Sequence, residues 1–263
     1  MLKKLAQSLF GLLFFAAVFI SFSNSVLAQN VPKDQLLLVH EEAAKLDMIP
    51  QYVKTSKEWS AMMHEAGLDM TFYAFQRTNA HYYYVSKIAN YADVDVIDGK
   101  FQKAMGKVDK EKFSAMMEAN NASIKSTKEY VIRRTADLSY DPKTPSLKEG
   151  EAKFAHWTFI HYKLEDQDKV MGVLKEWKAV YEKNNYPNGY GIFLMGLGGD
   201  SNEFVVFEEA KSAVDYYKND ADKTKEMKQE EGKLYAKITP YLVSVKEFNG
   251  MPRPDLSYIP AKK

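Results

Sequence analysis

The chain has 263 residues, with 36 lysines and arginines against 35 aspartates and glutamates, and it contains no cysteine. A near-zero net charge with interspersed signs predicts neither a nucleic-acid-binding surface nor an acidic tail for a cationic partner. The lack of cysteine excludes disulfides, thiolate metal sites, a cysteine nucleophile and a lipid-modified N-terminal cysteine.

The first 28 residues have the pattern of a cleavable secretory signal peptide. Lys3 and Lys4 precede an apolar run at 9–22, and small residues then lead to Ala28. The apolar run is short for a bilayer span and ends in polar sequence, which favours cleavage over an uncleaved anchor. We therefore expect cleavage after Ala28 and a periplasmic or secreted protein without a membrane segment.

A four-residue segment occurs twice in the sequence, and the interval between its two copies also separates the two copies of a second motif. Asp137-Leu138-Ser139-Tyr140 recurs 118 positions later as Asp255-Leu256-Ser257-Tyr258. The same offset relates the Lys-Glu-Trp sequence ending at Trp59 to the one ending at Trp177. An interval of about 115 residues is the size of a small domain, so the pattern predicts an internal duplication.

The first repeat is predicted to follow the order β-α-β-β-α-β. Apolar alternation, Gly67 as a helix terminator and the Thr78-Asn79-Ala80 turn are the main signals. The predicted elements are a strand at 35–40, a helix at 47–66, strands at 70–77 and 81–85, a helical region at 92–128 broken near Gly99 and Gly106, and a strand at 130–134.

The second repeat has the same predicted order, with a hairpin loop at 198–202 that is about four residues longer. Its predicted elements are a strand at 154–163, a helix capped by Asp166 or Asp168, strands at 190–197 and 203–207, helical segments between 210 and 237, and a strand at 241–248.

Each repeat is thus predicted to be a ferredoxin-like unit, whose sheet has one face covered by helices and one face bare. Burying both bare faces predicts an α+β fold in which repeats 29–145 and 146–263 pack sheet to sheet around an aromatic-lined space. The repeated Asp-Leu-Ser-Tyr segments are interpreted as symmetry-related clasps or, alternatively, as ordinary turns.

The strand and helix motifs resemble those of the dimeric α/β-barrel superfamily, in particular NIPSNAP-type and stress-responsive α/β-barrel proteins. The similarity lies in Leu38-Val39-His40 and Phe159-Ile160-His161, in the Lys-Glu-Trp helices, and in the Tyr-Gly-Ile-Phe-Leu strand that begins at Tyr190. Members include cofactor-independent monooxygenases, haem-degrading enzymes and chlorite dismutase-like haem proteins. The resemblance therefore implies an intramolecular barrel and leaves the activity open.

The histidines are the first candidate site residues. We expect His40 and His161 to occupy equivalent strand positions, with Trp157 beside His161. Either histidine could be a haem or metal ligand or a general base, or simply a strand-end histidine with local hydrogen bonds. Because their separation is odd, His156 and His161 are predicted to face opposite sides of the sheet.

An aromatic hairpin supplies the second group of candidates. Tyr73, Tyr82, Tyr83 and Tyr84 with Arg77 could line a pocket for a planar or acidic organic ligand, with Arg77 supplying the charge. The alternative is ordinary sheet packing.

No catalytic motif occurs in the sequence. The Asp93, Asp95 and Asp98 spacing does not fit a calcium loop, and we predict no metal site. The first functional hypothesis is a small-ligand-binding or structural protein, and the alternative is an oxidoreductase acting on a planar or apolar substrate, either without a cofactor or with haem. Haem is compatible with the sequence but not required by it, and self-association through an exposed sheet edge is a third hypothesis.

Overall fold

The computed structural model describes residues 34–148 and 150–260, so the predicted signal peptide lies outside the described residues. No helix within these two ranges is both long and apolar enough to cross a lipid bilayer. The strands are β1 (Gln35–Ala44), β2 (Tyr73–Arg77), β3 (His81–Ile88), β4 (Ile124–Arg134), β5 (Phe154–Tyr162), β6 (Gly191–Met195), β7 (Glu203–Ala210) and β8 (Leu242–Pro252). The α-helices are α1 (Ile49–Ala66), α2 (Asp93–Met105), α3 (Lys110–Ser123), α4 (Gln167–Lys183), α5 (Ala213–Ala221) and α6 (Lys225–Ile238).

The eight strands close into one antiparallel barrel in the order β1-β3-β2-β8-β5-β7-β6-β4. Four consecutive strands of each half have the order of a ferredoxin-like sheet, and the two sheets meet at the β2–β8 and β4–β6 seams. This confirms the predicted α+β fold. Every barrel strand has two neighbours, but β8 pairs with β2 only at 250–252 and β4 pairs with β6 only at 132–134, so self-association through an exposed sheet edge stays a prediction.

The predicted boundary between residues 145 and 146 falls in the connection between β4 and β5. The division into 29–145 and 146–263 stays a prediction.

The repeated Asp-Leu-Ser-Tyr segments hold the two halves of the barrel together. Tyr140 and Tyr190 exchange two backbone hydrogen bonds of 3.0 Å, and Phe72 and Tyr258 exchange bonds of 3.0 and 2.9 Å. In each case the segment after the last strand of one repeat joins the other repeat, where it extends the second strand. The structure therefore supports the interpretation as clasps.

The helices cover the outside of the barrel. Helix α1 has Pro50 in its first turn and ends at Gly67, whose φ of 67° is the left-handed conformation that glycine adopts without strain. Helix α4 buries a stripe of apolar residues at helical spacing and packs with α6 over the second half of the sheet. The buried residues of that stripe are Val170, Val173, Leu174 and Tyr181.

Two details of the predicted helices are wrong. Helix α2 runs through Gly99 without a break and ends at Met105, before Gly106. Glycine inside a helix costs only about 1 kcal/mol relative to alanine, which the packing of this helix against the core can offset. The helical region also ends at Ser123 rather than at 128, because β4 begins at Ile124.

The predicted equivalence of His40 and His161 is wrong. The 118-residue offset and the strand register both make Ala43 the counterpart of His161. His40 corresponds by the same offset to Thr158. Since side chains alternate along a strand, His40 and His161 therefore face opposite sides of the barrel wall.

Candidate functional site

The barrel encloses a cavity of about 200 Å³ between the inward-facing side chains. Its wall is aromatic and aliphatic, and Val39, Tyr83, Trp157 and Val205 are among its buried members. The lining residues are Leu37, Val39, Tyr73, Phe75, Tyr83, Val85, Lys87, Tyr130, Ile132, Trp157, Phe159, Phe193, Met195, Val205 and Phe207.

The aromatic rings of the wall are held in fixed relative orientations. Tyr83 stacks on Trp157 with ring centroids 6.0 Å apart and an interplanar angle of 30°. Phe75 meets Phe207 edge to face at 5.5 Å. Rings in such pairs lose little additional conformational freedom when a ligand binds, so the wall is preorganised for a flat ligand.

Tyr83 forms the polar inner end of the cavity, and Arg77 lies directly behind it. Arg77 is 6% exposed, and its guanidinium carbon lies 3.4 Å from the ring centroid of Phe248. In the described ranges no carboxylate lies within ion-pair distance of Arg77, which instead donates hydrogen bonds to Tyr83 and to Asn79 Oδ1. Burial raises the pKa of Tyr83 despite the opposing charge of Arg77, so the Tyr83 hydroxyl stays protonated at neutral pH.

The Tyr83 hydroxyl accepts its bond from Arg77, and its own proton has no acceptor among the described residues. A tyrosine hydroxyl can donate and accept at once. Tyr83 is therefore a free donor at the cavity wall, polarised by a cation behind it.

A second polar group lies next to this pair. His81 Nδ1 is 2.6 Å from Glu41 Oε1, and Tyr130 donates a 3.1 Å hydrogen bond to Glu41 Oε2. Burial alone would raise the pKa of Glu41, but these hydrogen bonds and the charge of Arg77 outweigh it and lower that pKa. Glu41 is thus an ionised carboxylate that partly balances Arg77 from a distance.

Most of the polar end belongs to the first repeat alone. Strand register relates four of its polar residues to apolar residues in the second repeat, whereas the counterpart of His81 is Glu203. The first-repeat residues and their counterparts are Glu41 and Phe159, Arg77 and Met195, Tyr83 and Val205, and Tyr130 and Phe248.

His161 faces the barrel interior but lies outside the cavity lining. Its Nδ1 is 3.1 Å from Glu203 Oε2 and its Nε2 is 3.5 Å from Asp200 Oδ2. Burial raises the pKa of Glu203, the charge of His161 opposes the rise, and Asp200 adds to it. The three residues each place one possible metal-ligand atom within 4.8 Å of the others, yet their mutual ion pairs account for the arrangement.

Haem ligation by His161 does not fit this interior. The described lining residues include no histidine, and both nitrogens of His161 already face carboxylate oxygens. The cavity is also smaller than the about 300–1,000 Å³ typical of sites for drug-sized ligands.

The other predicted candidates divide between the two faces of the wall. Tyr73 and Trp157 line the cavity and Arg77 lies behind it, whereas Tyr82 and Tyr84 lie outside, against α1, where both adjoin Tyr52. His40 also lies outside, with Nε2 3.1 Å from Glu42 and Nδ1 3.0 Å from Glu129. His156 faces outward and stacks on Tyr216, which confirms the predicted opposition to His161.

The sequence prediction included Tyr83 among the hairpin tyrosines without singling it out, and it missed Tyr130, Glu41 and Lys87. Strand parity contained a signal for Tyr83: if Arg77 faces inward, the tight turn that follows places His81 and then Tyr83 on the same face. Glu41 and Tyr130 had no comparable local signal, because they meet only through the pairing of β1 with β4.

A second cavity of about 410 Å³ opens at the other end of β3. It shares Tyr73 and Lys87 with the interior cavity, and Tyr73 is 46% exposed. We call it the vestibule. The remaining vestibule residues are Met70, Thr71, Ser86, Asp93, Val96, Ile97 and Lys100.

The sequence matches no protein-family model and no curated protein sequence. Among solved structures, the fold is similar to an anthrone oxidase-like protein at a TM-score of 0.56 and 8% identity, covering 85% of this chain and 93% of that one. A putative monooxygenase from Lactobacillus acidophilus gives a TM-score of 0.53 at 9% identity, covering 86% and 96%. One from Fusobacterium nucleatum gives 0.51 at 14% identity, covering 84% and 93%.

Identities this low establish the fold and not the activity. The closed antiparallel barrel and these structural likenesses agree with the resemblance seen in the sequence. The chain has the fold of the dimeric α/β-barrel superfamily.

Proposed function

We propose that the protein binds a small, planar, mostly apolar organic molecule inside the barrel. The observation that carries this proposal is the aromatic-lined interior cavity of about 200 Å³. A packed interior normally contains few voids larger than a water molecule, whereas this barrel keeps a far larger space between rigid rings.

The Tyr83 hydroxyl gives the site a polar preference. A ligand oxygen that reaches the inner end of the cavity would accept the free proton of Tyr83, with Arg77 strengthening the donor. The favoured ligand is therefore an aromatic molecule with a carbonyl or similar acceptor at its inner end.

Calorimetry with 2-acetylnaphthalene tests the proposal. We expect saturable one-to-one binding, lost in Val205→Phe because the added ring occupies the cavity. Val243→Phe is the matched control, since Val243 is 65% exposed. Equal binding by the Val205→Phe variant would place the ligand elsewhere.

A second candidate function is cofactor-independent oxidation of such a ligand. Two observations favour it: the polarised hydroxyl beside the cavity, and a fold shared with an anthrone oxidase-like protein and putative monooxygenases. The test reaction is anthrone plus O₂ giving anthraquinone plus water, followed as oxygen uptake. If anthrone binds but oxygen uptake does not exceed the rate in buffer, the oxidation function fails and the binding function stands.

We also propose that the mature protein acts outside the cytoplasm. The support is the basic start, the apolar run and the small residues before Gln29. Self-association stays a proposal too; analytical ultracentrifugation at several concentrations tests it.

A further inference from the structure

Lys87 occupies an unusual place at the mouth of the cavity. Among the described lining residues it is the only one with a formal charge. It is exposed, and no carboxylate in the described ranges lies within ion-pair distance of it. Its position on β3 is four residues from Tyr83, or about 13 Å along the strand.

The vestibule adds a second cation and one carboxylate. Lys100 has only a loose contact of 3.9 Å with Asp69, whose side chain is 83% exposed. Asp93 accepts a 2.6 Å hydrogen bond from the backbone N–H of Ala89, so its carboxylate is already partly satisfied. The two ammonium groups therefore dominate the charge that a molecule meets on entering.

This charge is again specific to the first repeat. Strand register makes Glu209 the counterpart of Lys87, and Glu209 is not among the lining residues. The cavity thus has a cation at its open end.

We infer that the natural ligand is an amphipathic organic anion: its flat apolar body fills the barrel and its carboxylate, or a similar anionic group, lies beside Lys87. The inference rests on the proposed function and adds a ligand class to it. Lys87 would act as a specificity residue at the mouth, complementary to the Tyr83 donor at the inner end.

Naphthalene-2-carboxylate and naphthalene-2-carboxamide form a matched pair of probes, because they have nearly the same shape and differ in charge. We expect the wild-type protein to bind the carboxylate about fivefold more tightly, the upper range for an exposed ion pair. The preference should weaken with added salt. In Lys87→Met, which keeps the apolar stem, both probes should bind equally.

Lys103→Met, on α2 but outside the vestibule, should keep the preference. The inference is overturned if the wild-type protein binds both probes equally, or if Lys87→Met retains the preference and thereby places the anion elsewhere. If the carboxamide still binds in either of these two cases, the proposed function is unaffected. If neither probe binds, the proposed function fails and the inference fails with it.

Discussion

Ser257 Oγ accepts a 2.8 Å hydrogen bond from the backbone N–H of Ala74, although the two residues lie in different repeats. Ser139 Oγ accepts the equivalent 2.9 Å bond from Ile192. Each serine belongs to a repeated Asp-Leu-Ser-Tyr segment, so the duplication is kept where the two halves are joined. The lining of the cavity, in contrast, has diverged between the repeats.

Removing either serine hydroxyl should weaken the barrel. Ser257→Ala and Ser139→Ala each leave a backbone N–H at the seam without its acceptor, which costs about 1–3 kcal/mol. Urea denaturation measures the free energy of unfolding. Ser114→Ala, on an exposed position of α3, should change it by less than about 0.5 kcal/mol. A loss no larger than that of this control would show that the clasps contribute little.

The Tyr83 hydroxyl should strengthen the binding of ligands that carry an oxygen acceptor and should not affect ligands of similar shape that lack one. We expect Tyr83→Phe to weaken binding of 2-acetylnaphthalene about five- to tenfold, the value of one hydrogen bond. Binding of naphthalene itself should not change. Tyr82→Phe is the matched control, because the neighbouring ring lies on the outer face. Equal loss for both probes would assign Tyr83 a packing role only.

Part of the pH dependence of the protein's stability should come from the protonation of His40. Burial lowers the pKa of His40, but hydrogen bonds to Glu42 and Glu129 outweigh it and raise that pKa. A raised histidine pKa adds stability that is complete below about pH 6.5 and is lost as the pH rises through the folded-state value. The free energy of unfolding of the wild-type protein should thus exceed that of the His40→Gln variant by more at pH 5.5 than at pH 8.5. The change between the two pH values should be at most about 1 kcal/mol, since the site is partly exposed. An unchanged difference across this range contradicts the assignment.

Expression in an exporting host should yield a chain that begins at Gln29. N-terminal sequencing of the purified protein measures this directly. An intact Met1 in the exported fraction would contradict cleavage after Ala28.

The fold was predictable from the sequence because the duplication doubles each local signal. The helix stripes, the Gly67 terminator and the recurrent Asp-Leu-Ser-Tyr segment all point to the same β-α-β-β-α-β order. The site was harder to predict, since three consecutive tyrosines cannot all face the cavity and a shift of one residue selects Tyr83 over Tyr82 and Tyr84. The His40 error has a different origin: matching the two strand endings by their histidines implies an offset of 121, which disagrees with the offset of 118 given by the repeated segments.

The most direct test of ligand binding inside the barrel is the fluorescence of Trp157. In a Trp59→Phe/Trp177→Phe variant, Trp157 is the only tryptophan left. We predict saturable quenching by 2-acetylnaphthalene, with a midpoint equal to the calorimetric Kd and no quenching after Val205→Phe. Calorimetric binding that leaves Trp157 fluorescence unchanged would contradict the account, because the ligand would then lie outside the cavity.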